Sequence, residues 1–391
     1  MLANMYESFW KDEYWMPPGY TWADLEDSDG ITYPHPKDLL AVIPLTFVLI
    51  VVRYASERLI GLPLSRAMGV RDPFRIKATP NPILESFFQT QRKNPGKDEL
   101  NHLASQCGLS ERQAERWFRH RRNQERPLMS KKFSETCWRF LYYCCTFFGG
   151  LFIFFNKGWF REPETMWIGY PKQPLHPGIY WWYLSELSFY FSLLLTLSFD
   201  VKRKDYQGHV IHHFMAVTLI SYSYVVNFVH VGALTMLLHD VSDIFMEACK
   251  MLNYAKWKKA QDTVFVLFAL VFFTSRLIIF PIKVIFDTYY VFQTNNHFFF
   301  GYYFSNALLV VAQSLNLFWS FLIFKMFCKL LSEGQLKNDM RSDLEEPDIG
   351  DEQSTTKQQS NGRLQSNDIT DIRARKVQGT NKLPTESIPV A

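Results

Sequence analysis

Histidines and carboxylates recur in two neighbouring apolar stretches of the sequence. One stretch carries three histidines within five residues, and the next carries three carboxylates at helical spacing: His209, His212, His213, Asp240, Asp243 and Glu247. Ionisable side chains inside a membrane span are costly, so they indicate a functional site. A neutral imidazole can act as a general base or nucleophile, and a buried carboxylate can orient it and stabilise its cation. These residue types favour acyl transfer, with metal chemistry as the competing interpretation.

The metal interpretation starts from the spacing H-x-x-H-H. This spacing resembles a histidine box of the membrane di-iron desaturases and hydroxylases, which need about three such boxes. The chain has only ten histidines, and those outside this run cannot assemble the missing boxes. A single metal stays open, because imidazole and carboxylate suit zinc. A metal-dependent lipid hydroxylase is therefore kept as an alternative.

Helical geometry predicts that the two clusters lie at one depth. Positions 240, 243 and 247 share one helical face. His212 follows Tyr206 by six residues and Asp243 precedes Lys250 by seven, which is about 9 and 10 Å from one cytosolic edge. A very short turn joins the two stretches, so their helices must pack side by side. We expect the histidines and carboxylates to meet just inside the cytosolic leaflet.

A basic run, Lys202-Arg203-Lys204, lies just before the helix that carries the histidines. Clustered cations attract an anionic, phosphate-bearing carrier such as a coenzyme A thioester. Apolar spans can hold the acyl chain of that carrier. The predicted reaction is therefore transfer of an acyl group from a water-soluble carrier to a lipid acceptor.

Composition separates an apolar part of the chain from polar attachments. Aromatic residues make up 17% of the 391 residues, yet 337–391 contains none. Six cysteines without C-x-x-C spacing exclude a disulfide scaffold and a zinc finger. Seven stretches are long and apolar enough to span a bilayer: 38–56, 138–155, 180–199, 208–229, 231–250, 262–283 and 298–327. The predicted fold is an all-α multispan membrane protein with about seven transmembrane helices.

The distribution of Lys and Arg predicts the topology. Segment 57–136 carries basic residues throughout and is expected in the cytosol, whereas 284–297 has none and is expected in the lumen. Residues 1–37 then form a luminal segment before the first span, 38–56. The polar tail, 333–391, is expected to be disordered and cytosolic. Ser342 precedes acidic residues there and is a predicted phosphorylation site.

The cytosolic insertion carries the signals of three helices. Asn81-Pro82 predicts the start of the first, a second runs from about Lys97 to Cys107, and Ser110-Glu-Arg-Gln113 is a capping box that opens the third. The third contains W-F-x-x-R-R, so segment 67–130 resembles a homeodomain. His120 stands where a homeodomain reads adenine with Asn, and it cannot make that bidentate contact. We expect no sequence-specific DNA binding; a membrane-tethered DNA-binding protein is the second alternative.

A wider set of residues resembles the longevity-assurance motif of the TLC-domain family: Lys204-Asp205, His212-His213, Ser221-Tyr222, Asn227, His239-Asp240-Val-Ser-Asp243 and Glu247. With the homeobox-like insertion, the chain resembles a vertebrate-type ceramide synthase. The resemblance implies one N-terminal span and a six-helix TLC catalytic domain, about 131–332, around a lipid tunnel. It implies an endoplasmic-reticulum enzyme that N-acylates sphinganine or sphingosine with fatty acyl-CoA, without a further cofactor, as a homo- or heterodimer.

The resemblance and the residue types together assign roles. The predicted catalytic residues are His212, His213, Asp240 and Asp243. The predicted substrate-binding residues are Lys202, Arg203, Lys204, Asp205, His239 and Glu247. The resemblance places acyl-length selection in the luminal loop from Asp287 to Phe299, with Asp287, Tyr289, Gln293, Asn295 and His297 as its candidate residues.

Overall fold

The computed structural model describes residues 2–28, 30–200, 206–295 and 299–334, and these contain no β-strand. In chain order the α-helices are α1 (Leu2–Phe9), α2 (Asp12–Trp15), α3 (Val42–Ser56), α4 (Leu62–Ala67), α5 (Pro82–Thr90), α6 (Lys97–Gln106), α7 (Glu111–Glu125), α8 (Met129–Phe154), α9 (Gly158–Arg161), α10 (Pro177–Thr196), α11 (Tyr206–Val225), α12 (Val229–Tyr254), α13 (Lys258–Phe272), α14 (Asp287–Asn295) and α15 (Phe300–Glu333). Two π-helical stretches are Glu57–Gly61 and Phe273–Phe286, and short 3₁₀ helices are Trp22–Leu25, Pro36–Ala41 and Pro163–Trp167. The all-α prediction is confirmed for this part of the chain.

Within the described part of the chain, five helical segments are long and apolar enough to cross a membrane: Pro36–Ala67, Glu111–Phe154, Val229–Tyr254, Lys258–Gln293 and Phe300–Glu333. The third and fourth predicted spans coincide with α10 and α11, which have 20 residues each. All seven predicted stretches are therefore helical. The count of seven transmembrane helices stays a prediction. Helices suit this setting because they satisfy their backbone hydrogen bonds internally.

The segment Asp287–Phe299 was expected to be a loop, and this expectation is wrong for most of its length. The chain is helical from Lys258 to Asn295, and α14 continues directly from the π-helical stretch Phe273–Phe286. The reason is a row of buried residues at every fourth position, which continues into α14. Its members are Phe268, Phe272, Arg276, Phe280, Val284 and Thr288.

The π-helical stretch keeps that row on one face of the helix. In an α-helix of 3.6 residues per turn, a four-residue step passes a full turn by about 40°, so a long row drifts around the helix. The wider π turn, with its i→i+5 hydrogen bonds, makes the same step fall short of a full turn. Alternating the two geometries cancels the drift. The residues of the row can therefore all face α12, against which both parts of this helix pack.

A tight turn makes α11 and α12 antiparallel neighbours, as predicted. Asn227 adopts a left-handed conformation, φ 56°, between the two helices. Its buried side-chain amide donates to the carbonyl oxygens of Pro171 at 2.7 Å and Gln173 at 2.9 Å. Asparagine tolerates this conformation better than most residues with a side chain. The amide also ties the turn to the connection that precedes α10.

Residues Ile76–Glu125 form a separate compact unit of three helices. Its predicted helix starts are confirmed: Asn81 accepts hydrogen bonds from the backbone N–H groups of Ile83 and Leu84, and Ser110 and Gln113 cap each other. Its core contains Leu84, Phe88, Leu100, Leu103, Ala104, Ala114, Trp117 and Phe118.

An ion pair joins the first and third helices of the three-helix unit. Arg121 donates to both carboxylate oxygens of Glu85 at 2.8 Å, and its guanidinium lies over the ring of Phe88. The Arg121 side chain thereby holds the pKa of Glu85 below its usual value. The directional hydrogen bonds of this ion pair orient the first and third helices, whose shared core is otherwise apolar.

Candidate active site

The histidine helix α11 and the carboxylate helix α12 share a cavity of about 120 Å³, which we call the histidine cavity. Helices α8, α10, α11, α12, α13, α15 and the π-helical stretch contribute to its wall. Its polar and charged wall residues are Arg139, Tyr143, Asp200, Tyr206, His209, His212, His213, Asp243, Glu247, Lys250 and Arg276. The predicted meeting of the histidines with Asp243 and Glu247 is thus present in the structure.

The two central histidines are held by aromatic contacts. The ring of His212 stands edge-on to Trp319 at 5.5 Å between centroids and lies 6.1 Å from Tyr190. The ring of His213 is 5.6 Å from that of His212. Its Nδ1 atom is buried and has no hydrogen-bond partner among the described residues. A buried nitrogen in this state is available for a hydrogen bond with a bound molecule.

Asp243 forms an ion pair with Arg276, which lies on the π-helical stretch. The Nη2 atom of Arg276 donates to Asp243 Oδ1 at 2.6 Å and to the backbone oxygen of His239 at 3.0 Å, and Nε donates to Ser242 Oγ at 2.9 Å. The Arg276 and Asp243 side chains are 5% and 13% exposed. Arg276 therefore balances the charge of Asp243 and fixes its position in the cavity wall.

Asp240 lies behind the cavity wall. Its Oδ2 atom accepts a hydrogen bond from Thr146 at 3.0 Å, and Trp182 donates to the backbone oxygen of Thr146 at 2.9 Å. The fully buried carboxyl group of Glu186 lies beside it. The hydrogen-bond partners that the structure shows for Asp240 and Asp243 are thus Thr146 and Arg276. A histidine-orienting role for either aspartate stays a prediction.

Charged pairs surround one end of the histidine cavity. Arg53 donates to Asp200 at 2.5 Å and to Glu57 at 2.7 Å, and Arg139 reaches the same Asp200 carboxylate at 3.2 Å. Glu247, predicted to bind substrate, contacts Lys250 at 2.5 Å. At this end of the cavity Arg53, Arg139 and Lys250 are each paired with a carboxylate.

Several predicted residues lie elsewhere or outside the described residues. Lys202, Arg203, Lys204, Asp205, His297 and Ser342 are outside them, as is the side chain of Asn295. His239 is buried against Phe280, with 5.2 Å between ring centroids, behind the wall of the histidine cavity. Asp287, Tyr289 and Gln293 are on α14.

The metal interpretation gains no support from the side-chain geometry. Among the described residues, no three histidine, cysteine or carboxylate side chains converge on a point that could hold an ion. His212 and His213 instead face aromatic rings and the cavity.

Two domain families and a set of relatives match this chain. The TLC domain matches residues 132–325, and the homeodomain matches residues 75–127. The chain is 50% identical to ceramide synthase 4 of Homo sapiens over 352 residues, which is 90% of this chain and 89% of that protein. This chain belongs to the ceramide synthase family. It is also 42% identical to ceramide synthase 3 of Homo sapiens, over 88% of this chain and 90% of that protein, and 30% identical to ceramide synthase hyl-1 of Caenorhabditis elegans, over 86% and 83%.

Membership in the ceramide synthase family shows that the chain is an acyltransferase. The sequence interpretation did not single out four charged residues near the site: Arg276, Glu186, Arg139 and Arg53. Each lies within or beside an apolar stretch, where an ionisable residue is itself a signal. Arg276 and Arg139 line the histidine cavity, and Glu186 lies beside Asp240.

Proposed function

We propose that the protein transfers a fatty acyl group from acyl-CoA to the amine of a sphingoid base, sphinganine or sphingosine, inside the histidine cavity. The observation that carries this proposal is the convergence of His212, His213 and the Asp243–Arg276 ion pair on one cavity. An imidazole beside a fixed carboxylate is suited to proton transfer at a nitrogen nucleophile. Acyl-CoA is the only further reactant proposed, and no cofactor is required.

The charged end of the cavity supports entry of the carrier there. Asp200 and Tyr206 both line the cavity, and they flank the basic run Lys202-Arg203-Lys204 in the sequence. We place the phosphates of acyl-CoA near this run and near Arg139. The thioester then reaches His212, while the acyl chain passes among the apolar helices.

The chemistry can follow two balanced routes. In direct transfer, the neutral sphingoid amine attacks the thioester carbonyl carbon while His212 removes one of its N–H protons; the carbon–sulfur bond breaks, and the imidazolium returns that proton to the CoA thiolate. In the covalent route, a ring nitrogen of neutral His212 attacks the thioester carbonyl carbon, the carbon–sulfur bond breaks, and the ring N–H proton passes to the CoA thiolate. The neutral amine then attacks the acyl-imidazole, the carbon–nitrogen bond to the ring breaks, and a proton of the amine returns to the imidazole. His213 acts as the proton partner. Asp240 and Asp243 stabilise the imidazolium, Asp243 from the cavity wall and Asp240 from behind it.

Membrane placement follows from the same proposal. The protein is proposed to be a multi-pass protein of the endoplasmic reticulum, with a luminal N-terminus and a cytosolic C-terminus. N-terminal residues contact the end of α11 opposite the histidines: Trp15 stacks on Tyr222 at 5.1 Å, and Asp38 accepts a hydrogen bond from Tyr224 at 2.8 Å. This packing supports a luminal position for the N-terminal residues and for the end of α11 that they contact. Assembly as homo- or heterodimers is part of the proposal.

The homeodomain-like unit is not proposed to read DNA sequence. His120 is 7% exposed. It occupies the position at which a homeodomain presents Asn to adenine. A buried imidazole cannot supply that contact. Two further assignments also remain proposals: selection of acyl length by Asp287–Phe299, and phosphorylation of Ser342 in the polar tail.

The proposal is tested with purified protein, acyl-CoA and sphinganine. We expect ceramide formation from the wild type and a loss of at least about 100-fold on His212→Ala, which is the lower range for removal of a general acid–base group. His102→Ala, an exposed histidine in the three-helix unit, is the matched control and should keep the wild-type rate. Equal activity in His212→Ala and His102→Ala would refute the proposed site.

Intact-mass analysis after incubation with acyl-CoA alone separates the two routes. A mass increase equal to one acyl group, absent in His212→Ala, indicates the covalent route. No adduct, together with His213→Ala as inactive as His212→Ala, indicates direct transfer with base catalysis.

A further inference from the structure

Two acidic side chains meet in the interior of the helix bundle, behind the wall of the histidine cavity. Glu186 on α10 and Asp240 on α12 are both 0% exposed, and their carboxyl groups lie within hydrogen-bond reach of each other. Three of their four oxygen atoms, Glu186 Oε1 and Oε2 and Asp240 Oδ1, have no hydrogen-bond partner among the described residues. Buried polar atoms are rarely left in this state, so these three need an explanation.

The side-chain donors near the two acids are each engaged with another acceptor. Tyr142 donates to the backbone oxygen of Ser185 at 2.9 Å, and Trp182 donates to the backbone oxygen of Thr146 at 2.9 Å. The Thr146 hydroxyl donates to Asp240 Oδ2 at 3.0 Å, which accounts for the fourth carboxyl oxygen. The three remaining oxygens therefore depend on a donor within the pair itself.

The charge of the pair leads to the same conclusion. In the part of the chain that the structure describes, no cation forms an ion pair with either acid; the nearby cations Arg276 and Lys250 pair with Asp243 and Glu247 instead. Two adjacent carboxylates in a dry interior repel each other, and both lack the water that stabilises charge. One proton held between the two acids removes one of these charges and gives two of the three oxygens a partner.

The neighbouring donors indicate which acid keeps the negative charge. Asp240 already accepts a hydrogen bond from Thr146 at Oδ2, and a second donor at Oδ1 satisfies both of its oxygen atoms. Neither oxygen of Glu186 has a partner among the described residues. Hydrogen bonds to a carboxylate stabilise its charged form, so the acid with more donors is the ionised one. The proton therefore belongs on Glu186.

We infer that Glu186 is a protonated acid that donates a hydrogen bond to Asp240 Oδ1, and that it is a positioning residue for this aspartate. The pair carries one negative charge, on Asp240, which is held by Thr146 at one oxygen and by Glu186 at the other. The consequence for catalysis rests on the proposed function, in which Asp240 stabilises the imidazolium from behind the cavity wall. A carboxylate fixed in advance does not have to reorganise when that charge forms.

Infrared spectroscopy of the purified protein detects the shared proton. A protonated carboxylic acid has a C=O stretching band that an ionised carboxylate lacks, and this band shifts in D₂O. We expect the wild type to show such a band at neutral pH and Glu186→Gln to lose it. Glu115→Gln removes an exposed carboxylate from α7, so this control should keep the band. Thr146→Val should shift the band, because Asp240 then accepts from Glu186 alone.

Ceramide formation tests the positioning role. Glu186→Gln keeps a side-chain N–H donor for Asp240 and should keep most of the wild-type rate. Glu186→Met has a similar size and no donor. Its rate per bound acyl-CoA should fall by about tenfold to 100-fold, the scale seen when the outer partner of a metal-ligating residue is removed. Glu115→Met is the control and should keep the wild-type rate. Division by bound acyl-CoA removes the effect of the folded fraction.

The absence of a band that depends on Glu186 overturns the shared proton. Equal rates of Glu186→Gln and Glu186→Met overturn the positioning role, because only one of the two keeps the donor. If Glu186→Met does not fold, the infrared comparison decides, since an unshifted band in Thr146→Val places the proton away from Asp240.

The same experiments separate this inference from the proposed function. An active His212→Ala variant refutes the proposed function, and the catalytic role of Asp240 falls with it. An inactive His212→Ala variant, together with a wild type that lacks the Glu186 band, refutes only the shared proton.

Discussion

Replacing Arg276 by methionine removes the cation that balances Asp243 inside the protein. The two side chains are 5% and 13% exposed and meet at 2.6 Å, and Arg276 also bonds Ser242 and the backbone of His239. Breaking a buried ion pair from one side leaves an uncompensated charge and costs about 3 to 5 kcal/mol. We expect the free energy of unfolding of Arg276→Met to fall by that amount.

The double variant tests whether the charge is the cause. Arg276→Met with Asp243→Asn replaces both charges, so its loss should be smaller than the sum of the two single losses by about 2 kcal/mol or more. The assay is equilibrium unfolding by SDS in mixed micelles. Lys283→Met is the control, because its partner Asp287 is 4.0 Å away and both side chains are more exposed, 38% and 27%; such a pair contributes about 1 kcal/mol or less. If the losses of the two single variants simply add in the double variant, the uncompensated charge is not the cause of the lost stability.

Three further predictions concern other parts of the molecule. Thr146→Val should lower the free energy of unfolding by about 1 to 3 kcal/mol in the same SDS assay, because it removes a donor to buried Asp240. Glu85→Gln should reduce hydrogen-exchange protection of α5 and α7; because Arg121 lowers the pKa of Glu85 below 4.5, the difference should be full above that pH and vanish as pH falls through the lowered pKa. Chelation of metals in the purified enzyme should leave ceramide formation unchanged, and a loss restored by an added metal ion would contradict a reaction without a cofactor.

Local signals in the sequence were sufficient for much of the fold. Helix starts at Asn81 and Ser110 depend on side chains that cap their own helix within three residues, so they can be predicted without the rest of the chain. Apolar length is also a local property, and it predicted helices at all seven long stretches. The distances of His212 and Asp243 from the cytosolic edge likewise predicted that the two residues lie at one depth.

Contacts between distant helices could not be predicted in this way. Arg276 pairs with Asp243 from 33 residues away, and Thr146 bonds Asp240 from 94 residues away. Such partners depend on which helices pack together and in what register. The sequence interpretation also missed the buried acid Glu186, although an acidic residue in an apolar stretch is itself a signal of function.

The helical continuation through Asp287–Asn295 was not predicted, because burial and not residue type marks the repeat. Buried positions recur every four residues from Phe268 to Thr288, a spacing that an α-helix alone cannot keep on one face. The row includes Arg276 and Thr288 and runs through an apolar stretch, so residue types alone do not distinguish its members.

A single-turnover experiment shows whether acyl transfer takes place at His212. Labelled acyl-CoA is bound to purified protein, its binding is measured, and sphinganine is then added. His212→Ala should bind acyl-CoA as the wild type does and form no labelled ceramide. Formation of ceramide by His212→Ala at the wild-type rate would show that transfer takes place elsewhere.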